Sequence, residues 1–240
     1  MRVLVLSDIH ANLVALDAVL AEAPTVDEVW ALGDCVGYGP EPDAVVTRLR
    51  EIGALGVRGN HDLAALGGNE IESFNVDARR AMEWTRSAIG DATRAWLAAL
   101  PERLVRGSWT LVHGSPRSPI REYVSSTSVA RAAFRDLASP NGLHGHTHVP
   151  VAFLEAGGAL TTVGPSAGSE LGLQGLRALL NPGSVGQPRD GIPAASWLVL
   201  DTEAATATWR RTAYDVASVQ AAMEALALPV RLVDRLAYGL

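Results

Sequence analysis

Five short clusters in the sequence carry the side-chain types that hold divalent metal ions. They are Asp8-Ile9-His10, Gly33-Asp34, Gly59-Asn60-His61-Asp62, His113-Gly114 and Gly145-His146-Thr147-His148. Carboxylates, imidazoles and an amide oxygen together suit manganese, iron, zinc or nickel. Cys35 is the only cysteine and no EF-hand spacing occurs, so structural zinc and calcium sites are not expected. Asp8 and His10 are two apart, and an extended backbone would aim both side chains the same way. His146 and His148 share that spacing. Asp8, His10, Asp34, Asn60, His113, His146 and His148 exceed what one tetrahedral ion needs. They suffice for two ions if one carboxylate bridges.

Each cluster follows a short apolar run that reads as a strand. Strands are expected at 2–7, 28–33, 54–58 and 108–112, with helices at 12–23 and 41–52 between the first three. This alternation predicts an α/β fold with a largely parallel sheet. Ligand sites in such sheets lie at the carboxyl ends of the strands, so the five clusters should meet on one rim. Helices are expected at 76–88 and 91–100, the second capped by Asp91. The segment 115–127 reads as a loop. Strands at 149–155 and 159–163 form a hairpin around Gly157-Gly158. Residues 164–175, with four glycines, read as a mobile loop. Strands at 176–180, 196–201 and 205–213 follow, then helices at 215–227 and 230–237. Residues 1–240 read as one domain, and the helical pair within 64–101 as either a lid over a cleft or an ordinary α-hairpin.

Taken in order, the five clusters resemble the signature of the calcineurin-like metallophosphoesterases. The resemblance spans residues 1 to about 150, and Asn181-Pro182-Gly183-Ser184 looks like a further element of that family. Gly33-Asp34-Cys35-Val36-Gly37-Tyr38-Gly39-Pro40 and the length are most similar to its small bacterial and archaeal phosphodiesterase branch. The resemblance implies a four-layer α-β-β-α sandwich of two mixed sheets. It implies that Asp8, His10 and His148 hold one metal, that Asn60, His113 and His146 hold a second, and that Asp34 bridges them. Such a pair lowers the pKa of an attacking water toward ~7 and neutralises the phosphoryl oxygens. His61 adjoins Asn60 and is not taken by a metal, which makes it the candidate general acid. Asp62 is expected to accept its other ring N–H, although a helix cap is an equal use.

The expected function is a dinuclear metal-dependent phosphoesterase hydrolysing a small phosphodiester or nucleotide-type substrate. The rivals are a phosphomonoesterase, including one acting on phosphoserine or phosphothreonine, and a non-catalytic metal-binding regulator. Substrate choice is assigned to loops 63–75, 115–127 and 164–175. Arg117, Arg121 and Arg189 are phosphate-contact candidates, each weighed against a solvated loop charge. Tyr38 suits either stacking on a base or anchoring its turn. His144 matches no ligand position and is read as hydrogen-bonded under the site. Cys35 is read as buried, Asn12 as a helix cap, and Trp84 and Trp96 as packing residues.

Composition narrows the classes. Net charge is −6 with no basic run, a poor profile for general nucleic-acid binding. All 20 basic residues are arginine, which excludes a lysine nucleophile or P-loop lysine. No apolar run nears the ~18 residues of a membrane span, and no signal peptide is read, so the expected compartment is the cytoplasm. Subunit pairing through exposed strands or the C-terminal helices is left open.

Overall fold

Leu4 and Leu6 of the first strand face one hydrophobic layer and Val3 and Val5 face another, and all four are fully buried. A strand that reads as a continuous apolar run is therefore one covered on both faces. The computed structural model, which describes residues 1–240, places this strand at the centre of a six-stranded sheet. The sheet contains β1 (Arg2–Leu6), β2 (Glu28–Ala31), β3 (Leu55–Gly56), β9 (Glu170–Gly172), β11 (Ala195–Asp201) and β12 (Thr206–Thr212). Its order is β3-β2-β1-β11-β12-β9, with the first three strands parallel and the rest antiparallel.

A second sheet of six contains β4 (Arg103–Arg106), β5 (Trp109–Val112), β6 (Asn141–Leu143), β7 (Val151–Ala156), β8 (Ala159–Val163) and β10 (Arg177–Asn181). Its order is β4-β5-β6-β10-β7-β8, and β5, β6 and β10 run parallel. The inner faces meet in one cluster that includes Val3, Val5, Trp30, Leu111, Leu198 and Trp209. Outside the first sheet, α1 (Leu13–Glu22), α2 (Pro42–Glu51), α4 (Val76–Ala88) and α5 (Asp91–Ala99) bury Leu16, Leu49, Met82 and Leu97 against Leu4 and Leu6. Outside the second, α6 (Thr127–Arg135) buries Ala130, Ala133 and Phe134 against Phe153 and Leu179. The result is helix, sheet, sheet, helix. Each fully buried Leu or Val contributes about 1.5–3 kcal/mol, so the two sheets are joined by their largest apolar faces.

The expected helices and hairpin appear with ends shifted by a residue or two. Asn12 accepts from Ala15 N at 3.0 Å and caps α1. Gly157 and Gly158 turn the β7–β8 hairpin at φ +54° and +82°. The cap of α5 is Gly90 rather than Asp91, because the Gly90 amide is bound by Asp43. Residues 164–175 are not a free loop: Glu170–Gly172 pairs with β12 as an edge strand. The sequence reading lacks α6 and β4, and sets no bounds for the strand before His146, which is β6. It also lacks α3 (Asn60–Ala65), which begins inside the third cluster. No helix is long and apolar enough to cross a membrane.

Candidate metal centre

Parallel strands set the positions of the clusters. Asp8 follows β1, Asp34 follows β2, Asn60 follows β3, His113 follows β5, and His146 and His148 follow β6. Strand alternation does not aim them, contrary to expectation. Asp8, His10, Asp34, His146 and His148 adopt left-handed backbone, with φ of 52°, 48°, 52°, 67° and 59°. Each such residue costs about 1–2 kcal/mol. Strain gathered at one rim is the mark of a functional site. Backbone bonds hold the turns: Asp8 N donates to Gly33 O at 3.1 Å, His10 N to Asp34 O at 2.9 Å, and Gly145 N to His113 O at 2.8 Å.

The loops also press close. A Cβ on Gly59 would stand 2.1 Å from Asp34 Oδ1 and 2.4 Å from its amide nitrogen. Gly59→Ala should therefore displace Asp34 and cost about 1–3 kcal/mol through overpacking. The expected readout is a lower melting temperature together with reduced bound metal by elemental analysis. Full metal content would show that Asp34 has not moved.

Seven candidate side chains meet in two groups. Asp8, His10, Asp34 and His148 form one, and Asp34, His113 and His146 the other, with ligand atoms within 4.8 Å inside each. Asn60 joins the second, its Oδ1 at 3.0 Å from His113 Nε2. Three histidines are pinned the same way. His10 Nδ1 meets Val36 O at 3.2 Å, His113 Nδ1 meets Leu32 O at 2.9 Å and His148 Nδ1 meets Gln187 O at 2.6 Å. A carbonyl accepts only, so each Nδ1 carries the proton and each Nε2 keeps a lone pair. Those lone pairs face other acceptors. His10 Nε2 lies 3.1 Å from His148 Nε2, and His148 Nε2 lies 3.2 Å from Asp8 Oδ1.

Both carboxylates are divided between structure and site. Asp8 Oδ2 accepts from Ser7 Oγ at 2.6 Å and His146 N at 3.0 Å, whereas buried Oδ1 has no hydrogen-bond partner. Asp34 Oδ1 accepts from His61 N at 2.8 Å, leaving Oδ2 at 3.7 Å from His10 Nε2 and 3.4 Å from His113 Nε2. Lone pairs converging without protons between them fit cations, and Asp34 belongs to both groups. Burial, then the charges of Asp62 and Asp8, push Asp34 well above the usual carboxylate range. Burial acts upward on Asp8 too, but His148, His113 and His10 hold it well below. Burial and then the His113 charge push His146 down to about 2. The downward shift of His146 favours its uncharged imidazole, the form that ligates a metal.

His61 is buried and lines the same cleft. Its ring lies between Tyr38 and Phe74, with centroids at 4.3 and 4.4 Å, and edge-on to His10 at 4.8 Å. Its Nδ1 is buried and has no partner. Asp62 does not orient it. The Asp62 carboxylate instead accepts from Cys35 N, Val36 N and Gly59 N at 2.9, 3.2 and 2.9 Å. It thus ties the loop after β2 to the start of α3. Asp62→Ala should strand these three buried donors and destabilise the protein by about 3 kcal/mol or more, read by denaturant unfolding. Normal stability with an altered pH–rate profile would return Asp62 to the orienting role.

A cleft of about 480 Å³ opens over the centre, with Asn60, His61 and His146 among its walls. Segment 63–75 supplies Glu70, Ser73, Phe74 and Asn75, and 115–127 supplies Arg121 and Tyr123, whereas 164–175 supplies nothing. Tyr123 stacks on His146 at 3.7 Å and 15°. The segment 64–101 is rooted in the core through Met82 and Leu97. Two of the three loop arginines are neutralised: Arg121 pairs with Glu70 and Arg117 with Glu122. Arg189 remains on the wall, joined by Arg235 from the C-terminal segment. Nothing in the sequence pointed to Arg235, Phe74 or Tyr123, since a lone residue in a helix or loop carries no spacing signal. His144 sits beneath the centre, bound by Asn181 Nδ2 at 3.2 Å, and burial lowers it to about 4. Cys35 is buried in the core, and Trp84 and Trp96 pack against hydrophobic clusters.

A sequence model for the calcineurin-like phosphoesterase superfamily domain matches residues 1–205. A metallophosphoesterase from Sphaerobacter thermophilus, known from its crystal structure, is 41% identical over the whole of both chains, with a TM-score of 0.90. An uncharacterized protein of Methanocaldococcus jannaschii is 35% identical over 98% of this chain and 97% of its own length. A symmetrical bis(5'-nucleosyl)-tetraphosphatase of Pectobacterium carotovorum is 32% identical over 106 residues, 42% of this chain and 38% of that protein.

Proposed function

Because the chain belongs to the calcineurin-like phosphoesterase superfamily, hydrolases of phosphoric esters, we propose that it cleaves small phosphodiester or nucleotide-type substrates with two divalent ions. Asp8, His10 and His148 would hold one ion, and Asn60, His113 and His146 the other, with Asp34 between them. The observation that carries this reading is that two groups of facing lone pairs share Asp34, and that Asn60 and His146 beside the second group line a cleft. When bound, such ions supply Lewis-acid charge to the phosphoryl group and an attacking water of lowered pKa. A cleft of about 480 Å³ suits a small ligand. Partial similarity to bis(5'-nucleosyl)-tetraphosphatases supports a nucleotide-type substrate. A single buried thiol without a disulfide supports the cytoplasm as compartment.

His61 is the proton donor to the leaving oxygen in this account. Burial and then Arg189 push it well below the usual histidine range. A bound phosphate anion opposes that effect and lets the ring take up a proton. Tyr38 and Phe74 hold the ring in place while it donates.

The test compares bis-p-nitrophenyl phosphate with p-nitrophenyl phosphate on manganese-loaded protein. The diester should turn over with the higher kcat/KM. Turnover of the monoester alone would replace this reading with a phosphomonoesterase, and phosphoserine and phosphothreonine peptides would then be the substrates to try.

A further inference from the structure

Two arginines on the cleft wall lack acidic partners although their neighbours have them. Arg121 and Arg117 each pair with a glutamate. Arg189 and Arg235 pair with no acidic side chain, and both instead donate to one neutral oxygen, Gln187 Oε1, at 2.9 and 3.1 Å. Arg189 Nε is buried and has no hydrogen-bond partner. Arg235 Nε turns back to the main-chain oxygen of Leu240, which leaves its other nitrogens toward Gln187 and the cleft. Two like charges sharing one acceptor repel each other. Burial and then Arg189 lower Arg235 to about 10. Holding Arg189 beside a second partly buried cation with no acidic side chain between them is costly, and an anion there reduces the cost.

The place of the pair indicates which anion. Arg189 N donates to His148 O at 3.3 Å, and Gln187 O accepts from His148 Nδ1 at 2.6 Å. Arg189 therefore sits on the loop that braces a candidate metal ligand, Arg235 reaches it from the C-terminal segment, and both line the wall shared with His61, Asn60 and His146. A phosphoryl group over the metal centre would be held by the ions, which leaves these forks for a further group. Guanidinium forks match phosphate oxygens in bidentate fashion. Arg235 also lies beyond residue 205, where the family match ends.

We propose that Arg189 and Arg235, gathered on Gln187 beside the metal centre, form a second phosphate position that selects substrates carrying a phosphate group beyond the scissile one. This rests on the phosphoesterase reading above and narrows its substrate class to oligophosphates.

Calorimetric titration of the metal-loaded protein with pyrophosphate and with orthophosphate, in matched metal-containing buffer, tests it. Wild type should bind pyrophosphate at least about tenfold more tightly than orthophosphate. Losing a charge-assisted contact costs about 10- to 100-fold in affinity, so R235Q should bring the ratio close to one. R235K keeps the charge and should restore part of the ratio. A ratio unchanged in R235Q, an equal loss of both ligands, or a lysine variant no better than glutamine would overturn the proposal. Turnover of bis-p-nitrophenyl phosphate by wild type is the separate control. Its absence counts against the phosphodiesterase reading, while the calorimetric ratio still decides the second phosphate position.

Discussion

Asp34→Asn should abolish catalysis to within measurement, a loss of at least about 10³-fold in kcat, with bound metal falling below two equivalents. Asparagine keeps the shape and the Oδ1 contact to His61 N but removes the charge that both groups share. One lost Lewis-acid position is worth several kcal/mol, and each ~1.4 kcal/mol is tenfold in rate. The substitution also removes a buried carboxylate from beside Asp62 and Asp8, two like charges that push against it. The metal-free variant should therefore be no less stable than the metal-free parent. Elemental analysis, steady-state kinetics and thermal unfolding of both apo-proteins check this. Two equivalents of metal and near-normal turnover in Asp34→Asn would remove Asp34 from the bridging role.

His61→Ala should retain its metals and lose turnover by about 10²–10⁴-fold, the usual contribution of a general acid. The retention follows because His61 belongs to neither metal-binding group, and only its backbone amide supports Asp34. The size of the loss should depend on the leaving group. An alkoxide needs a proton as it departs, so alkyl esters should suffer most. A nitrophenolate departs as a stable anion, so its esters should suffer least. A uniform loss across leaving groups would mean that removing the ring has opened the packing between Tyr38 and Phe74 rather than removed an acid.

The residue types at the strand ends were legible because chemistry restricts them: few side chains bind hard and borderline cations, and all seven stood after apolar runs. The four-layer arrangement was legible through the resemblance, and the uniform apolarity of Val3-Leu4-Val5-Leu6 agrees with burial on both faces. The way the ligands converge was not. Left-handed backbone at Asp8, His10, Asp34, His146 and His148 is set by bonds between distant loops. A two-residue spacing read as strand alternation gives the right neighbours for the wrong reason. Asp62 carried two readings of equal weight, an orienter of His61 or a helix cap, and the helix start turns its carboxylate back onto Cys35, Val36 and Gly59. α6 was missed although Ala130, Ala133 and Phe134 recur on one helical face. β9 has three residues and β4 buries none of its four fully, as edge strands do. Arg235 reaches the cleft from the last turn of the chain, and only tertiary packing of the C-terminal helices puts it there.

Anomalous diffraction from crystals grown with manganese tests the central claim most directly. The account predicts two peaks about 3.5–4 Å apart, one within bonding distance of Asp8, His10 and His148, the other of Asn60, His113 and His146, with Asp34 Oδ2 touching both. A single peak that leaves one group empty, or peaks away from Asp34, would contradict it.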